Sequence, residues 1–554
     1  MATQNRAWNL TDYEATRRSF RWDAPAQFNF ATDVFDRWAE DGSRLALYWV
    51  GDGEERQLTF RSLSLRSNRL ANALAGLGLG PGERVLVMLP RIVAWWESLL
   101  GLEKARLVAM PGTVLLTPKD IAYRLEAAEA SALITDAANA DKVDALPQSA
   151  DLKARIVVGH ARPGWHSYET LLERARETRA PQPTPADEPA LLYFTSGTTG
   201  QPKMVIHTHS SYGFAHRATG RFWLDLRPGD LHWNISDTGW AKAAWSSFFG
   251  PWSCGATVFA QHSPGKFAPS AIPGFLSAYP ITTLCAAPTV YRMLVQEDLS
   301  AVRRSTLRHC VAAGEPLNPE VIATWQAATG LTIRDGYGQT ETVILCGNFP
   351  PLPVRAGSMG KPTPGFDLAI VDQEGRRLPA GQEGDLAVRV EPERPAGLFV
   401  EYWKNPAATA ASFHHGWYIT GDRGMVDEDG YFWFVGRADD VIISAGYRIG
   451  PFEVESALIE HPAVIEAAAV ASPDPVRGSV VKAFVVLAQG FQASDALVHE
   501  LQEQVKRTTA PYKYPREIEF VPELPKTISG KIRRVELREL ERARKLGQRS
   551  APLS

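Results

Sequence analysis

The chain has 554 residues, of which 45% are apolar and 22% are charged, and these proportions are ordinary for globular proteins. They exclude a disordered or fibrous protein, and the length suggests about three or four domains. Lysine plus arginine (59) against aspartate plus glutamate (62) gives a net charge of −3. That balance argues against a nucleic-acid coat or a polybasic membrane anchor, but it allows a small anion in a local basic pocket.

Cysteine usage and the apolar runs bear on the compartment. The chain has four cysteines, none in a C-x-x-C pair, so we expect neither a disulfide framework nor a zinc ribbon. The first residues, MATQNRAWNL, lack a basic segment followed by an apolar stretch, and no apolar run is long enough to cross a bilayer. These features predict a soluble cytoplasmic protein without a secretory signal or a membrane span.

The N-terminal part alternates helical and strand patterns. A glycine-rich turn at residues 78–82 follows leucines with helical spacing: Leu63, Leu70, Leu74 and Leu77. The next segments read as a strand, a helix and two further strands: 84–89, 92–105, 132–134 and 156–158. This alternation predicts helices packed on a largely parallel sheet. The proline-rich segment 180–190 predicts a surface loop.

The tail from about residue 440 has its own pattern. A helix is predicted at 452–460, and strands are predicted at 464–470, 480–487 and 518–521. Ser494 is placed to cap a helix that carries Leu497, Leu501 and Val505 on one face. Together these elements predict a compact α+β domain of about 110 residues.

The stretch Tyr193–Lys203, YFTSGTTGQPK, follows a strand-like run and has the composition of a phosphate cradle. Glycines let backbone N–H groups turn toward an anion, hydroxyls add donors, and a lysine adds a charge. The candidate residues are Thr195, Ser196, Gly197, Thr198, Thr199, Gly200 and Lys203. The spacing is not that of the Walker loop. On turn preferences alone, the stretch could equally be a polar turn between a strand and the next element.

Together with later motifs, this string resembles the phosphate-loop signature of the adenylate-forming superfamily of acyl-CoA synthetases, adenylation domains and luciferases. The later motifs are DGYGQTE (335–341), YITGD (418–422), GRADDVIISAGYRIGPFEVE (436–455) and PKTISGK (525–531). The resemblance covers nearly the whole chain. It is greatest to medium-chain acyl-CoA synthetases, through WNISDTGW (233–240), SPDPVRGSVVKAFVVL (472–487) and APYKYPREIEFV (510–521).

The resemblance implies a two-step reaction and a two-domain α/β fold. A carboxylate attacks the α-phosphate of ATP to give acyl-AMP and pyrophosphate, and coenzyme A then displaces AMP to form a thioester. The fold would have a large N-terminal domain of β-sheets sandwiched with helices, residues 1–437, with the ATP and acyl sites. A small mobile α+β domain, residues 438–554, would carry the catalytic lysine and coenzyme A contacts. ATP, Mg²⁺ and coenzyme A are the implied cofactors.

By the same resemblance, residues 335–341 hold the nucleotide. Asp335 accepts from the adenine amino group, and Tyr337 offers adenine a face. Thr340 contacts the α-phosphate, and Glu341 holds magnesium, a hard cation that prefers oxygen ligands, with Thr195 as the second metal residue. The other residues assigned to nucleotide binding are Gly336, Gly338, Gln339 and, in the adenine-side loop, Gly314, Glu315 and Pro316.

Four further residues complete the implied adenylation site. Asp422 is placed to accept both ribose hydroxyls, and Arg437 reaches the ribose or a phosphate. Asp439 corresponds to the hinge that reorients the tail domain, with Asp440 as its neighbour. Lys531 is the strongest catalytic candidate because a mobile lysine would stabilise charge on both the attacking carboxylate and the α-phosphate. The family also regulates this lysine by acylation, which implies a lysine acyltransferase as a partner.

Coenzyme A and the acid have their own candidate residues. The tail residues Ser444, Gly446, Tyr447 and Arg448 would face the site in the second half-reaction, and Arg477 is a candidate for the coenzyme A phosphates. Trp240 and Gly338 would shape the acyl pocket. Small residues after Trp240 leave room for more than acetate, so we expect a medium-chain fatty or aromatic acid. Asp237 resembles the synthetase pattern rather than an ammonium-binding aspartate.

Several alternatives remain open at this stage. An acyl-AMP ligase would pass the acyl group to a carrier protein, a luciferase-like oxygenase would use the same fold, and a non-catalytic module would keep the loop but lose the lysine. His207 and His209 form an H-x-H pair, for which packing is favoured over metal binding. We expect small-molecule partners, no nucleic acid, and a homodimer.

Overall fold

A computed structural model describes residues 7–195, 202–263, 265, 267–444, 447–474, 477–527 and 531–545. The strands are β1 (Leu45–Gly51), β2 (Glu54–Thr59), β3 (Arg84–Met88), β4 (Val108–Pro111), β5 (Ala130–Asp136), β6 (Ala154–Val158), β7 (His166–Ser167), β8 (Pro189–Thr195), β9 (Lys203–Thr208), β10 (Leu231–Ile235), β11 (Thr257–Gln261), β12 (Thr283–Ala286), β13 (His309–Ala313), β14 (Ile333–Tyr337), β15 (Cys346–Gly347), β16 (Ser358–Pro362), β17 (Leu368–Val371), β18 (Gly384–Arg389), β19 (Glu401–Tyr402), β20 (Phe413–His414), β21 (Trp417–Val426), β22 (Phe432–Arg437), β23 (Ile442–Ser444), β24 (Tyr447–Ile449), β25 (Val464–Asp474), β26 (Gly478–Leu487) and β27 (Glu517–Phe520).

The α-helices, in chain order, are α1 (Tyr13–Ser19), α2 (Asp36–Trp38), α3 (Phe60–Gly76), α4 (Val93–Ala105), α5 (Pro118–Ala127), α6 (Ala140–Asp144), α7 (Tyr168–Arg174), α8 (His216–Ala218), α9 (Ala241–Ala244), α10 (Gly250–Ser253), α11 (Ile272–Ala278), α12 (Pro288–Leu294), α13 (Pro319–Thr329), α14 (Pro406–Ser412), α15 (Pro451–Ile459), α16 (Asp495–Thr508) and α17 (Arg534–Lys545).

Two large sheets form the N-terminal domain. The first has the strand order β19-β9-β8-β4-β3-β5-β6-β7 and is parallel from β8 to β7. The second runs β17-β18-β21-β22-β16-β15-β14-β13-β12-β10-β11-β1-β2, with a parallel half from β14 to β1 and an antiparallel half from β17 to β15. The predicted largely parallel sheet is confirmed, and ligands of such sheets bind beyond the carboxyl ends of the parallel strands.

Helix α4 lies between the two sheets, and every one of its residues is buried. Its apolar side chains, including Trp95 and Trp96, share one hydrophobic cluster with residues of both sheets. Its charged residues are paired: Glu97 with Arg66, Glu103 with His209, and Lys104 with Asp36. A helix that is apolar nearly all round is stable only when buried in this way, so α4 joins the two sheets.

A smaller C-terminal domain follows β22. Strands β25, β26 and β27 form its sheet, against which α15 and α16 pack. Ser494 accepts a hydrogen bond from the Leu497 backbone N–H, and Leu497, Leu501 and Val505 are buried, as the sequence predicts. The α/β fold class is therefore confirmed. The four cysteines are free thiols, and no helix among the described residues has the length and apolarity needed to span a bilayer.

Candidate active site

The two ends of the phosphate loop lie side by side in the first sheet. Thr195 ends β8, Lys203 begins β9, and the two residues are register partners. The Thr195 hydroxyl donates to the Lys203 carbonyl at 3.4 Å, and the Lys203 ammonium lies 4.6 Å from the centroid of the Tyr402 ring. The predicted cradle is therefore bounded by two residues that pair with each other on adjacent antiparallel strands. The remaining predicted cradle residues lie outside the described residues: Ser196, Gly197, Thr198, Thr199 and Gly200.

The motif at 335–341 begins on β14 and continues past its carboxyl end. Asp335 is buried, which raises the pKa of its carboxyl group well above the ordinary value. A side chain at Gly336 would lie 2.5 Å from Trp223, and one at Gly338 would lie 2.7 Å from the Val343 carbonyl. Close packing alone therefore favours glycine at both positions, apart from any approach of the backbone to a nucleotide.

Asp422 is the centre of a buried polar cluster. Its Oδ2 accepts hydrogen bonds from the Tyr337 hydroxyl at 2.5 Å and from Gln339 Nε2 at 2.7 Å. Its Oδ1 lies 3.2 Å from Nε of Arg437, which faces it across the β21–β22 pair. Burial raises the pKa of Asp422, while Arg437, Tyr337 and Gln339 oppose the rise. The structure thus brings together four residues that the sequence assigned to one nucleotide site.

Thr340 and Glu341 are held by neighbours that the sequence reasoning did not assign to the site. Nε2 of His207 donates to the Thr340 carbonyl at 2.7 Å, and Nδ1 of His207 lies 3.0 Å from the Ser211 hydroxyl. Burial lowers the pKa of His207 to about 4, so the ring is neutral at pH 7. The Tyr402 hydroxyl donates to Oε1 of Glu341 at 2.9 Å. Burial raises the pKa of the Glu341 carboxyl.

The adenine-side loop follows β13. Gly314 has φ +108°, a conformation that favours glycine. Glu315 accepts hydrogen bonds from the Thr289 hydroxyl at 2.8 Å and from Arg292 at 3.0 Å. Burial acts to raise the pKa of Glu315, but Arg292 and Thr289 outweigh it and the pKa lies below the ordinary value. Glu315 is therefore ionised at neutral pH, and Pro316 leads from it toward α13.

Lys531 belongs to the C-terminal domain but acts electrostatically on the N-terminal cluster. Its backbone N–H donates to the Thr527 hydroxyl at 3.1 Å. The charge of its ammonium group is a minor influence that opposes the rise that burial causes in the pKa of Asp422 and adds to the lowering that Arg292 and Thr289 cause in the pKa of Glu315. It also contributes to lowering the pKa of Lys242, after the larger effect of burial. The charge of the predicted catalytic lysine therefore influences residues of two segments that the sequence assigns to the nucleotide.

Lys242 is a site residue that sequence reasoning missed. It lies on α9, donates a hydrogen bond to the Ala313 carbonyl, and would stand 3.1 Å from a side chain at Gly314. The detectable signal was a lone lysine in the run of small residues that follows Trp240. Its charge therefore lies beside the adenine-side loop.

Trp240 and Asp237 shape the start of α9. Trp240 occupies the N-cap position of this helix. Asp237 accepts from the Gly239 N–H at 2.7 Å and from the Thr113 hydroxyl at 3.0 Å. Both carboxylate oxygens of Asp237 thus accept hydrogen bonds inside the fold, at the turn that leads into α9.

The predicted coenzyme A residues lie on the C-terminal domain. Ser444 and Tyr447 are register partners in the β23–β24 hairpin, and Arg448 is exposed. The Tyr447 ring is 54% exposed and stacks on Tyr512, with ring centroids 4.4 Å apart. Gly446 lies outside the described residues. Tyr447 and Arg448 therefore lie on the surface of this domain, whereas Ser444 is buried.

Arg477 and the hinge residues occupy turns of the same domain. The Arg477 N–H donates to Oδ1 of Asp474 at 2.7 Å. Asp439 lies 3.9 Å from Nε of Arg437. The neighbouring Asp440 pairs with Arg538 of α17, which fixes it to the C-terminal domain. The chain thus changes partners from one domain to the other between residues 437 and 440.

The candidate site offers few side chains that could bind a metal. No group of three or more His, Cys, Asp or Glu side chains arranged to hold a metal ion occurs within the described ranges. Mg²⁺ is usually held by one or two carboxylates together with substrate phosphates. The partly exposed Glu341 carboxylate and the Thr195 hydroxyl fit that pattern and do not need a dedicated protein cage.

Comparison with known proteins places the chain in a family. The family model for AMP-binding enzymes matches residues 34–403, and that for the AMP-binding enzyme C-terminal domain matches residues 453–531. The chain belongs to the AMP-binding enzymes. It is 52% identical over 545 residues to the mouse mitochondrial acyl-coenzyme A synthetase ACSM3, covering 96% of this chain and 94% of that protein. It is 51% identical to rat mitochondrial ACSM4, covering 96% and 93%.

Solved structures give the same answer. The anthranilate CoA ligase AuaEII in complex with anthranoyl-AMP has a TM-score of 0.86 and 32% identity, covering 95% of this chain and 99% of that one. A benzoate CoA ligase from Burkholderia xenovorans LB400 has a TM-score of 0.82 and 31% identity, covering 92% and 100%. The prediction of a cytoplasmic protein is contradicted by this comparison, because the relatives at 50–52% identity carry mitochondrial names.

Proposed function

We propose that this chain is an ATP-dependent, AMP-forming acyl-CoA synthetase that activates a carboxylic acid through an acyl-AMP intermediate. The observation that carries the proposal is the buried cluster in which Oδ2 of Asp422 accepts hydrogen bonds from Tyr337 and Gln339 and Oδ1 lies 3.2 Å from Nε of Arg437. The sequence assigns all four of these residues to one nucleotide site. The relatives named acyl-coenzyme A synthetases, at about half identity over nearly the whole chain, support it.

In the first half-reaction, a carboxylate oxygen attacks the α-phosphorus of ATP, and pyrophosphate leaves with the electrons of the broken P–O bond. Both reactants are anions, so the main requirement is to stabilise negative charge. The positive charge of the Lys531 ammonium would stabilise the negative charge on the attacking carboxylate and on the α-phosphate. Asp422 would accept from the ribose hydroxyls. Magnesium, when bound through Glu341 and Thr195, would neutralise charge on the β- and γ-phosphates.

In the second half-reaction, the sulfur of coenzyme A attacks the acyl carbon, AMP leaves, and the thiol proton passes to solvent. We assign the coenzyme A nucleotide to the face of the C-terminal domain that carries Tyr447, Arg448 and Arg477. The exposed stack of Tyr447 on Tyr512 supports this, because an accessible aromatic face suits an adenine ring. The Lys513 ammonium lies 5.8 Å from the Tyr512 ring and is paired with Glu453.

We propose residue 437 as the end of the N-terminal domain and residue 438 as the start of the C-terminal domain. The end of β22 at Arg437 and the attachment of Asp440 to α17 support this division. A medium-chain fatty or aromatic acid is the proposed substrate. The small side chains on and after α9, such as Ala243 and Ala244, support it. The aromatic-acid ligases among the structural neighbours also favour it.

Two partner assignments stay predictions. Lys531 is exposed, so a lysine acyltransferase could reach its amine, and mass spectrometry after incubation with such an enzyme would detect the modification. The homodimer is testable by light scattering on the purified chain.

Product analysis with ATP, Mg²⁺ and octanoate, with and without coenzyme A and repeated with benzoate and acetate, tests the proposal. Octanoyl-CoA, AMP and pyrophosphate are expected, with the thioester formed only when coenzyme A is present. Acyl-AMP that accumulates and does not react with coenzyme A would instead support the ligase that passes its acyl group to a carrier protein.

Lys531→Ala tests the catalytic assignment. We expect loss of acyl-AMP formation but thioester formation from supplied acyl-AMP, because only the first step requires the ammonium charge. Lys526→Ala is the matched control, since Lys526 belongs to the same segment but pairs with Glu466 at 2.8 Å. Equal loss of both half-reactions in the Lys531 variant would refute the assigned role.

A further inference from the structure

Tyr402 lies between the β8–β9 strand pair, which carries Thr195 and Lys203, and the segment that carries Glu341. It belongs to β19, whose backbone pairs with β9, so that Tyr402 faces Val205 two residues after Lys203. The segment is fixed on both sides: the Phe399 N–H donates to the Glu341 carbonyl at 2.7 Å, and the Trp403 N–H donates to the Met204 carbonyl at 2.7 Å. The Tyr402 side chain is 6% exposed. Its position is therefore fixed by backbone pairing on both sides, and its ring also packs on Phe399, with ring centroids 4.8 Å apart.

The Tyr402 side chain touches two opposite charges of the candidate site. Its hydroxyl donates to Oε1 of Glu341 at 2.9 Å. Its ring lies 4.6 Å from the Lys203 ammonium, within the range of a cation–π contact. The hydroxyl engages Oε1 and leaves Oε2 of Glu341 outside this hydrogen bond. One rigid side chain thus links the carboxylate assigned to magnesium with the lysine assigned to the triphosphate.

We propose that Tyr402 is a positioning residue for the metal-bound triphosphate, which fixes the Glu341 carboxylate and the Lys203 ammonium relative to each other before ATP binds. The proposal rests on the function proposed above. Mg²⁺ demands near-ideal geometry and keeps few protein ligands, so the orientation of a single carboxylate has a large effect on binding. Acyl-AMP carries no β- or γ-phosphate. The second half-reaction therefore does not need this arrangement.

Tyr402→Phe is the direct test, because it removes the hydroxyl and keeps the ring against Lys203. We expect calorimetric ATP affinity to fall about tenfold in the presence of Mg²⁺, the size typical of a hydrogen bond to a charged group. ATP affinity without Mg²⁺ should change less than twofold. Thioester formation from supplied acyl-AMP should also change less than twofold.

Tyr168→Phe is the matched control. The Tyr168 hydroxyl donates to Oε2 of Glu97 at the same distance, 2.9 Å, and the side chain is 2% exposed. It lies on α7 against α4, in a part of the fold to which no candidate site residue belongs. This variant should lose stability without losing magnesium-dependent ATP affinity.

A double-mutant comparison keeps the proposal testable if the single variant is unstable. In a Glu341→Gln background, Tyr402→Phe should cause little further loss of ATP affinity, since the two residues act through one contact. Additive losses would overturn the proposal, as would wild-type ATP affinity in Tyr402→Phe at every Mg²⁺ concentration or equal losses with and without the metal. Failure of the proposed function would show differently, as an unmodified chain that forms no acyl-CoA while still binding ATP.

Discussion

Replacing His309 by glutamine should make the N-terminal domain less sensitive to acid. His309 begins β13 and is 3% exposed, and its Nε2 donates to the Trp223 carbonyl at 2.7 Å. Burial is the main cause that lowers the pKa of this imidazole from 6.5 to about 3; the charges of Arg334 and Arg308 contribute to the fall, and the hydrogen bond to Trp223 opposes it. The folded protein therefore holds a neutral ring, whereas the unfolded chain exposes an ordinary histidine.

The sign of the pH effect follows from these two values. Between about pH 3 and pH 6.5 the unfolded chain binds a proton that the folded chain does not, so stability falls as the pH falls. At about pH 5 the pH lies 6.5 − 5 = 1.5 units below the pKa of the unfolded side chain. At about 1.4 kcal/mol per unit, the free energy of unfolding is therefore about 2 kcal/mol lower than at neutral pH. Full stability from this residue is present above pH 6.5.

Urea unfolding followed by tryptophan fluorescence isolates the relevant domain, because all 16 tryptophans lie at or before Trp433. The free energy of unfolding would be compared between about pH 7.5 and about pH 5. The drop should be about 2 kcal/mol smaller in His309→Gln than in the unmodified chain. His166→Gln, at an exposed position, should leave the drop unchanged. An equal drop in His309→Gln and the unmodified chain would refute the reasoning.

Two further substitutions test the candidate site. Gly338→Ala would bring a Cβ within 2.7 Å of the Val343 carbonyl oxygen, a backbone atom that moves only with its loop. We expect acyl-AMP formation, measured by pyrophosphate release, to fall more than about tenfold. Pyrophosphate release at the wild-type rate would contradict this expectation. Asp422→Asn removes the carboxylate charge that pairs with Arg437 at 3.2 Å. We expect the KM for ATP to rise at least about tenfold. An unchanged KM would exclude ribose binding by this carboxylate.

Local patterns predicted the elements whose own sequence decides them. Helix α16 has a capping serine and leucines on one face, and both features are present in the structure. The strand predicted at residues 84–89 and the helix predicted at 92–105 differ from β3 and α4 by one residue at an end. Such elements bury an apolar face whose spacing is visible in the chain. Strand order in the two sheets depends on long-range pairing and was not predictable in the same way.

In the candidate site, too, the sequence predicted the residues but not the long-range contacts among them. Its main residues could be named because their motifs resemble those of a known family, but the contacts among them join distant parts of the chain. Gln339 and Asp422 are 83 residues apart, and Tyr337 and Asp422 are 85 apart. These pairs meet because β21 and β22 join β14 through β16 and β15 in one sheet. Resemblance therefore named the residues, while the sheet order determined which of them touch.

The residues that were missed have a common physical cause. His207, Lys242 and Tyr402 act on the site through a hydrogen bond to a carbonyl or to another side chain. A buried histidine, lysine or tyrosine of this kind has no spacing that distinguishes it from an ordinary core residue. Its role follows only from the group that it contacts, and each of these groups lies in or directly beside a segment already assigned to the nucleotide. A motif therefore marks the groups that would meet the substrate, whereas the groups that hold them in place become visible only in the folded chain.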